Sequence, residues 1–334
     1  MPTFGVLGAG GWGTAIAMML SRKPGNRVRL WCARAESGQA LIAQRENVRQ
    51  LPGVPIPPEV VITHDPADAT DSADCWIVAV PTAFLRTTMT RLRPFAQPDV
   101  PIVSLTKGIE TDTFLRPSEI LADVLGMSRV VVVSGPSHAE EVARGMPTSV
   151  VAASPDATLA GWVQDQLGGE RFRVYTNTDL IGVELAGALK NVIGIAAGAC
   201  DGLHFGDNAK AALLTRGLVE MTRFAVAHGA EPATFTGLAG VGDLITTCFS
   251  SHGRNRRVGE RLARGELLDA IVSGPQVAEG VYTARSVHER TRRMGLDVPI
   301  MTGVYQVLYE GRSPSEVVQD LLSRRQRGEN TFRS

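Results

Sequence analysis

Hydrophobic and polar positions change rhythm about halfway along the chain. In the first half, apolar runs at 4–7, 28–31, 60–62, 75–80, 102–105 and 130–133 alternate with stretches of helical period. Runs that are apolar on both faces and separated by crossovers predict a parallel, doubly wound sheet. Two more runs, 149–152 and 172–175, flank a helical stretch. Beyond Asn177 the strand pattern stops, and glycine-punctuated helical periodicity takes over at 179–199, 209–228, 254–264, 286–294 and 304–309. The chain therefore reads as an α/β protein in two parts: a mostly parallel sheet domain over residues 1–177 and an all-α domain over 178–334. The polar tail from Arg324 reads as loosely ordered.

Within the second half, LAGALKNVIGIAAGA contains only two polar residues, Lys190 and Asn191. At helical period Val183, Ala186, Lys190, Ile193 and Ala197 share one stripe, and Gly187, Asn191, Gly194 and Gly198 form the stripe beside it. A helix apolar all round belongs inside a protein, where an ammonium is unfavourable unless a partner or a lowered pKa relieves it. Lys190 is thus either a working residue or a lysine that snorkels to the surface beside a closely packed second helix. The neighbouring glycines remove side chains, so something other than a packed side chain can approach the backbone.

Near the start, TFGVLGAGGWGTAIAMML runs from a short strand through Gly8, Gly10 and Gly13 into a helix. This is the setting of a dinucleotide fingerprint: Gly8 for the tight turn, Gly10 for approach of the pyrophosphate, Gly13 for helix-on-strand packing. It makes the first domain Rossmann-like. The phosphates would sit at the helix N-terminus, where free N–H groups and the dipole favour an anion.

Composition agrees with a soluble two-domain protein: 44% hydrophobic residues against 5% aromatic suit a helix-rich α/β chain. Thirty-four basic residues balance thirty-four acidic ones, so nothing in the net charge of +0 recruits nucleic acid or an anionic membrane. Cys32, Cys75, Cys200 and Cys248 show no metal-ligand spacing and read as reduced core residues, and the scattered histidines offer no metal set. The N-terminus enters a strand directly, and no uninterrupted apolar run reaches bilayer length, which predicts a cytoplasmic protein without a membrane span.

In an open α/β sheet ligands lie beyond the carboxyl ends of the strands, so residues following each run are the candidates. After the second run come Cys32, Ala33 and Arg34, where an NAD-selective chain usually carries an acid for the ribose 2′-OH. Arg34 suits a 2′-phosphate instead, which favours NADP(H), with NAD(H) as the alternative. Lys107 follows the fifth run as a substrate anion contact or a solvated loop charge, and Gly135, Ser137 and Ala139 form a turn after the sixth. His138, a lone loop histidine, is not assigned a catalytic role. In the second half Asp243 is either a helix cap or the partner of Lys190. Arg254, Asn255, Arg256 and Arg257 form a basic cluster able to grip a phosphate with guanidinium forks, or an ordinary solvated charge run.

GAGGWGTAIA, SLTKGIE, SGPSHAEEVARGMPT, ELAGALKNVIGIAAGACDGL, GDNAKAALLTRGLVEM, TFTGLAGVGDLITTC, RNRRVG and VAEGV occur in that order over nearly the whole chain. Together they closely resemble the bacterial NAD(P)-dependent glycerol-3-phosphate dehydrogenases. The resemblance implies interconversion of sn-glycerol 3-phosphate and dihydroxyacetone phosphate, feeding phospholipid synthesis, by a homodimer with Lys190 as proton carrier. It implies substrate contacts from Lys107, Gly135, Ser137, Lys190, Asp243, Gly253, Arg254 and Asn255. Cofactor contacts are implied for Gly11, Trp12, Ala33, Arg34, Gln50, Lys107, Ala139, Arg254, Val277 and Glu279. Three positions depart from the family's pattern: His138 replaces a phenylalanine, Gly253 a serine before RN, and Gln50 an aromatic or histidine. The glycine removes a hydroxyl contact to substrate, and Gln50 weakens its own cofactor assignment.

Hydride reduction of a ketone leaves an alkoxide, so a donor must stabilise and protonate that oxygen. Protonated Lys190 serves in reduction and neutral Lys190 in oxidation, oriented by Asn191 and Asp243. Two rivals remain on sequence alone: a reductase of the same architecture acting on a β-hydroxy or keto acid, and a silent NADP(H)-binding sensor.

Overall fold

The computed structural model describes residues 1–274, 277–325 and 328. Most of the tail expected to be loosely ordered lies outside them, but at its start Arg324 pairs with Asp297 at 2.8 Å. The chain divides into two compact units. Met1–Lys107 and Leu115–Leu180 make the first; Gly108–Phe114 and the chain from Ile181 onward make the second. The short excursion at Gly108–Phe114 carries no periodic pattern, and non-local packing holds it. The Phe114 ring meets Phe224 and His228, with centroids 5.9 and 5.1 Å away.

The first unit is built on ten strands: β1 Thr3–Leu7, β2 Arg27–Trp31, β3 Glu46–Asn47, β4 Leu51–Pro55, β5 Val60–Thr63, β6 Cys75–Val78, β7 Ile102–Ser104, β8 Val130–Ser134, β9 Thr148–Ala153 and β10 Phe172–Asn177. Eight form one sheet in the order β10-β9-β8-β7-β6-β1-β2-β5, and β3 and β4 form a separate hairpin. Order reverses between β1 and β6, the topological switch point at which such sheets bind ligands. All neighbours in this sheet are parallel except β8 and β9, which run antiparallel, in keeping with the mostly parallel sheet expected from the sequence. The connection 135–147 between β8 and β9 carries the short helix Ala139–Ala143. The 46–55 hairpin was not predicted, because its strands are two and five residues long with prolines inside.

The second unit is helical. Its centre is the helix Leu180–Gly202, buried on nearly every face. By length and composition alone this helix could cross a membrane, but Glu184, Lys190 and Asn191 interrupt its apolar run and 83% of its most apolar window is buried inside the fold. Protein, not lipid, covers it. Its glycines admit neighbouring backbones: a Cβ at Gly198 would stand 1.8 Å from the Arg256 carbonyl oxygen of the helix Arg254–Ala263. A Cβ at Gly259 would meet the Ile195 carbonyl at the same 1.8 Å. The glycine stripe therefore serves close helix packing. All four cysteines are free and buried, and burial pushes the Cys248 thiol up to about 12.

Candidate active site

In the first unit the fingerprint has the geometry its residue types require. Gly8 has φ +119°, and a Cβ there would stand 2.7 Å from the Ala79 carbonyl oxygen. At Gly13 a Cβ would come within 1.9 Å of the Gly8 carbonyl, so helix and strand approach as the motif demands. Gly10 faces nothing within 4 Å. It is the N-cap of the helix Gly11–Ser21, which has no side-chain cap and no acid in its first turn. Its first N–H groups are thus available to an anion. Trp12 Nε1 is buried and has no hydrogen-bond partner among the described residues. An open glycine, an uncapped helix start and an orphaned indole donor fit a bound dinucleotide.

The 46–55 hairpin braces this turn. Asn47 Nδ2 donates to the Ala9 carbonyl at 3.1 Å and to Thr14 Oγ1 at 2.9 Å. Backbone at Gln50 closes over Gly11, where a Cβ would stand 2.7 Å from the Gln50 carbonyl. Ala139 is also near: its methyl would lie 3.6 Å from that same Cβ. Asn47 is a site-building residue that no local pattern marks, because its partners Ala9 and Thr14 lie 38 and 33 positions away. Ala33 and Arg34 stand exposed just beyond β2, with Arg34 as N-cap of the helix Ala35–Gln44.

Lys107, Gly135 and Ser137 converge within this unit. Lys107 Nζ donates to the Gly135 carbonyl at 3.1 Å, and Ser137 Oγ donates to the same oxygen at 2.8 Å. Gly135 has φ +135°, a conformation that favours glycine, with Val150 Cα 3.0 Å from where a Cβ would be. His138 is the N-cap of the short helix Ala139–Ala143.

In the second unit Lys190 does not snorkel. It is 7% exposed, and its Nζ lies 2.5 Å from Asp243 Oδ1 and 2.8 Å from Thr247 Oγ1. Asp243 opens the helix Asp243–Phe249, and Thr247 is one turn on, so both present to the ammonium from one face. Thr247 was passed over in the sequence, where its i+4 spacing from Asp243 was the usable signal. The aspartate resolves from two readings to one: it pairs with the lysine.

Asn191 and Asn255 join side chain to side chain. Asn255 Nδ2 donates to Asn191 Oδ1 at 2.9 Å, while Asn255 Oδ1 accepts the Gly280 N–H at 3.0 Å. Gly280 follows Glu279 at the start of the helix Glu279–Met294, and Val277 lies two residues upstream. Of the expected basic cluster, Arg256 is spoken for by Asp201 at 2.7 Å and Arg257 by the Ser251 carbonyl at 2.9 Å. Arg254, the first residue of its helix, is exposed and makes no ion pair among the described residues. Of the four, Arg254 alone keeps its side chain exposed without such a partner among the described residues, with the buried Asn255 next to it in the helix. At Gly253 a Cβ would stand 2.9 Å from the Thr247 carbonyl and 3.1 Å from that of Ser250, so a serine there would need the backbone to shift. Among the described residues no group of three His, Cys, Asp or Glu could hold a metal ion.

Comparison with known proteins bears on both units. The family model described as NAD-dependent glycerol-3-phosphate dehydrogenase N-terminus matches residues 3–160, and its C-terminal counterpart matches 179–319. A Chlorobium limicola protein named glycerol-3-phosphate dehydrogenase (NAD(P)+) is 47% identical over 96% of this chain and 97% of its own. One of the same name from Geobacillus thermodenitrificans is also 47% identical, over 97% and 95%. The crystal structure of glycerol-3-phosphate dehydrogenase from Coxiella burnetii superposes with a TM-score of 0.92 at 38% identity, covering 97% of this chain and 99% of that one. With both family models in sequence order and identity of this level over nearly full length, the chain belongs to the NAD-dependent glycerol-3-phosphate dehydrogenase family.

Proposed function

We propose that this chain reduces dihydroxyacetone phosphate to sn-glycerol 3-phosphate with NAD(P)H, and catalyses the reverse. The observation that carries the reading is Lys190, a buried ammonium held by Asp243 and Thr247 in a helix otherwise almost wholly apolar. A sensor that only bound dinucleotide would have no use for it, and burying a charge is unfavourable without one.

The nicotinamide, when bound, supplies the hydride. Lys190 stabilises the oxygen of the reduced carbon as charge develops there and delivers a proton from Nζ. In oxidation the neutral amine takes the alcohol proton. Asp243 and Thr247 fix the direction of Nζ, so little reorganisation is needed as the charge moves. Asn191 and Asn255 hold each other and the start of the Glu279–Met294 helix, which sets the side-chain frame beside Lys190. Arg254 holds the phosphate, with Lys107, Gly135 and Ser137 as further substrate contacts. Gly8, Gly10, Gly11, Trp12, Gly13, Ala33, Arg34, Gln50, Ala139, Val277 and Glu279 are assigned to the cofactor.

Cys32, Ala33 and Arg34 in place of an acid directly after β2, and the exposure of Arg34, support a preference for NADP(H) over NAD(H). Four free, buried cysteines support a cytoplasmic setting, and resemblance to the family supports a homodimer supplying phospholipid synthesis. Following NADPH and NADH oxidation with dihydroxyacetone phosphate, against unphosphorylated dihydroxyacetone, tests the activity. No oxidation with the phosphorylated ketone would refute it. Arg34→Asp should weaken NADPH far more than NADH, and equal losses would show that Arg34 does not read the 2′-phosphate.

A further inference from the structure

A second arginine stands at the end of β2. Arg91 lies in the last turn of the helix Thr82–Leu92. Its guanidinium carbon sits over the Trp31 ring, 5.7 Å from the centroid, and its Nη1 donates to the Ala33 carbonyl at 3.4 Å. Trp31 is fully buried, and its Nε1 donates to the His64 carbonyl at 3.3 Å, so the indole is a fixed platform. Stacking on it positions the guanidinium beside Ala33, one residue before Arg34.

Both Arg34 and Arg91 are exposed, and neither makes an ion pair among the described residues. Glu36, the acid in the first turn of the Ala35–Gln44 helix, offsets only part of two positive charges. A guanidinium carries five N–H donors, and the contact with Ala33 uses one, which leaves a fork open for an anion. A structural role exists beside this one, since a cation in a last helical turn and over an indole stabilises the fold modestly. That role alone does not call for a second uncompensated charge next to Arg34.

We propose that Arg91 is a specificity-determining residue that reads the adenosine 2′-phosphate together with Arg34. This rests on the preference for NADP(H) proposed above and adds a residue that no fingerprint position marks. Arg34 comes to the phosphate from the strand end, and Arg91 comes from a helix fifty-eight positions beyond Ala33. Two guanidiniums on one phosphate monoester discriminate against the bare 2′-OH more than one does, because each charge-assisted bond exists only when the phosphate is present.

Isothermal titration of the full-length protein with 2′,5′-ADP and with ADP tests this without turnover. Arg91→Ala should weaken 2′,5′-ADP on the order of tenfold while changing ADP by less than about twofold. Arg91→Lys, which keeps the charge but loses the fork, should recover part of the loss. Melting curves of each variant check that the fold is retained. Equal weakening of both ligands would assign Arg91 to stacking on adenine, and no weakening of either would leave it a structural cation; both results overturn the proposal. If Arg34→Ala removes the preference for 2′,5′-ADP while Arg91→Ala keeps it, Arg91 alone is misassigned. If the unaltered protein binds the two ligands equally, the NADP(H) reading itself falls.

Discussion

Lys190 and Asp243, fifty-three positions apart, meet at 2.5 Å in a setting where their side chains are only 9% and 3% exposed. A pair this dry behaves differently from a surface ion pair: removing one partner strands the other charge away from water.

Lys190→Met should therefore abolish function and also weaken the fold. Turnover should fall by at least about a hundredfold, as expected for loss of a general acid. Stability should drop by about 3 kcal/mol because the Asp243 carboxylate loses its ammonium. Lys190→Met combined with Asp243→Asn should recover most of that stability and none of the turnover. Chemical denaturation and steady-state rates read the two effects separately; a stable single variant with near-normal turnover would remove Lys190 from the mechanism.

Arg254→Ala should raise KM for dihydroxyacetone phosphate and erase much of the discrimination against dihydroxyacetone. Loss of one charge-assisted hydrogen bond corresponds to about 1.5–3 kcal/mol in kcat/KM. Arg256→Ala should behave otherwise, since Arg256 is bound to Asp201 and to the Ser250 carbonyl, and its loss is expected in stability more than in phosphate selectivity. If both variants lose selectivity alike, the grip is shared after all.

Gly259→Ala should destabilise by at least about 1–3 kcal/mol, the usual range for overpacking, because the new methyl would stand 1.8 Å from the Ile195 carbonyl oxygen. To relieve that, the Arg254–Ala263 helix must move, carrying Arg254 and Asn255 with it, so KM should rise as well. Gly161→Ala is the control: it lies inside the helix Ala157–Leu167 with nothing within 4 Å, and should be neutral or stabilising by up to about 1 kcal/mol. Similar melting temperatures for the two variants would contradict the packing argument.

Stability should also fall with rising pH through a window set by Glu220. This residue is 4% exposed, and its carboxylate accepts the Ile300 and Met301 N–H groups at 2.9 and 3.1 Å, at the start of the helix Pro299–Tyr309. Burial pushes it up to about 7, against the pull of those two N–H groups and of Arg223. An unfolded glutamate ionises near 4.5, so between 4.5 and about 7 the folded chain holds a proton that the unfolded chain releases. Stability from this group is thus full below 4.5 and is lost as pH rises towards about 7, with a limiting slope of about 1.4 kcal/mol per pH unit. The melting-temperature difference between unaltered protein and Glu220→Gln should shrink steadily over that range. A pH-independent difference would place the proton elsewhere.

Local pattern alone determined much of this protein. Strand runs ending in Gly8, Arg34 and Lys107, and a helix with two polar residues in an apolar sequence, follow from periodicity and from the steric freedom of glycine, both of which act over a few residues. Hence the Rossmann-like half, the helical half and the weight placed on Lys190 were legible. What the pattern left open was every choice between two readings. Lys190 as a buried, paired ammonium or a snorkelling lysine, Asp243 as cap or partner, and the basic cluster as one solvated run or several separately bound side chains each turned on residues distant in sequence. Tertiary structure decided them because the groups involved are desolvated. Inside the fold an ammonium must find a carboxylate, an amide must find an amide, and a glycine must be where another backbone passes. Asn47 under the glycine turn and Arg91 over Trp31 were invisible for the same reason, and Thr247 beside Lys190 was marked only by its spacing from Asp243: the partner of each comes from another element, and only packing brings them together.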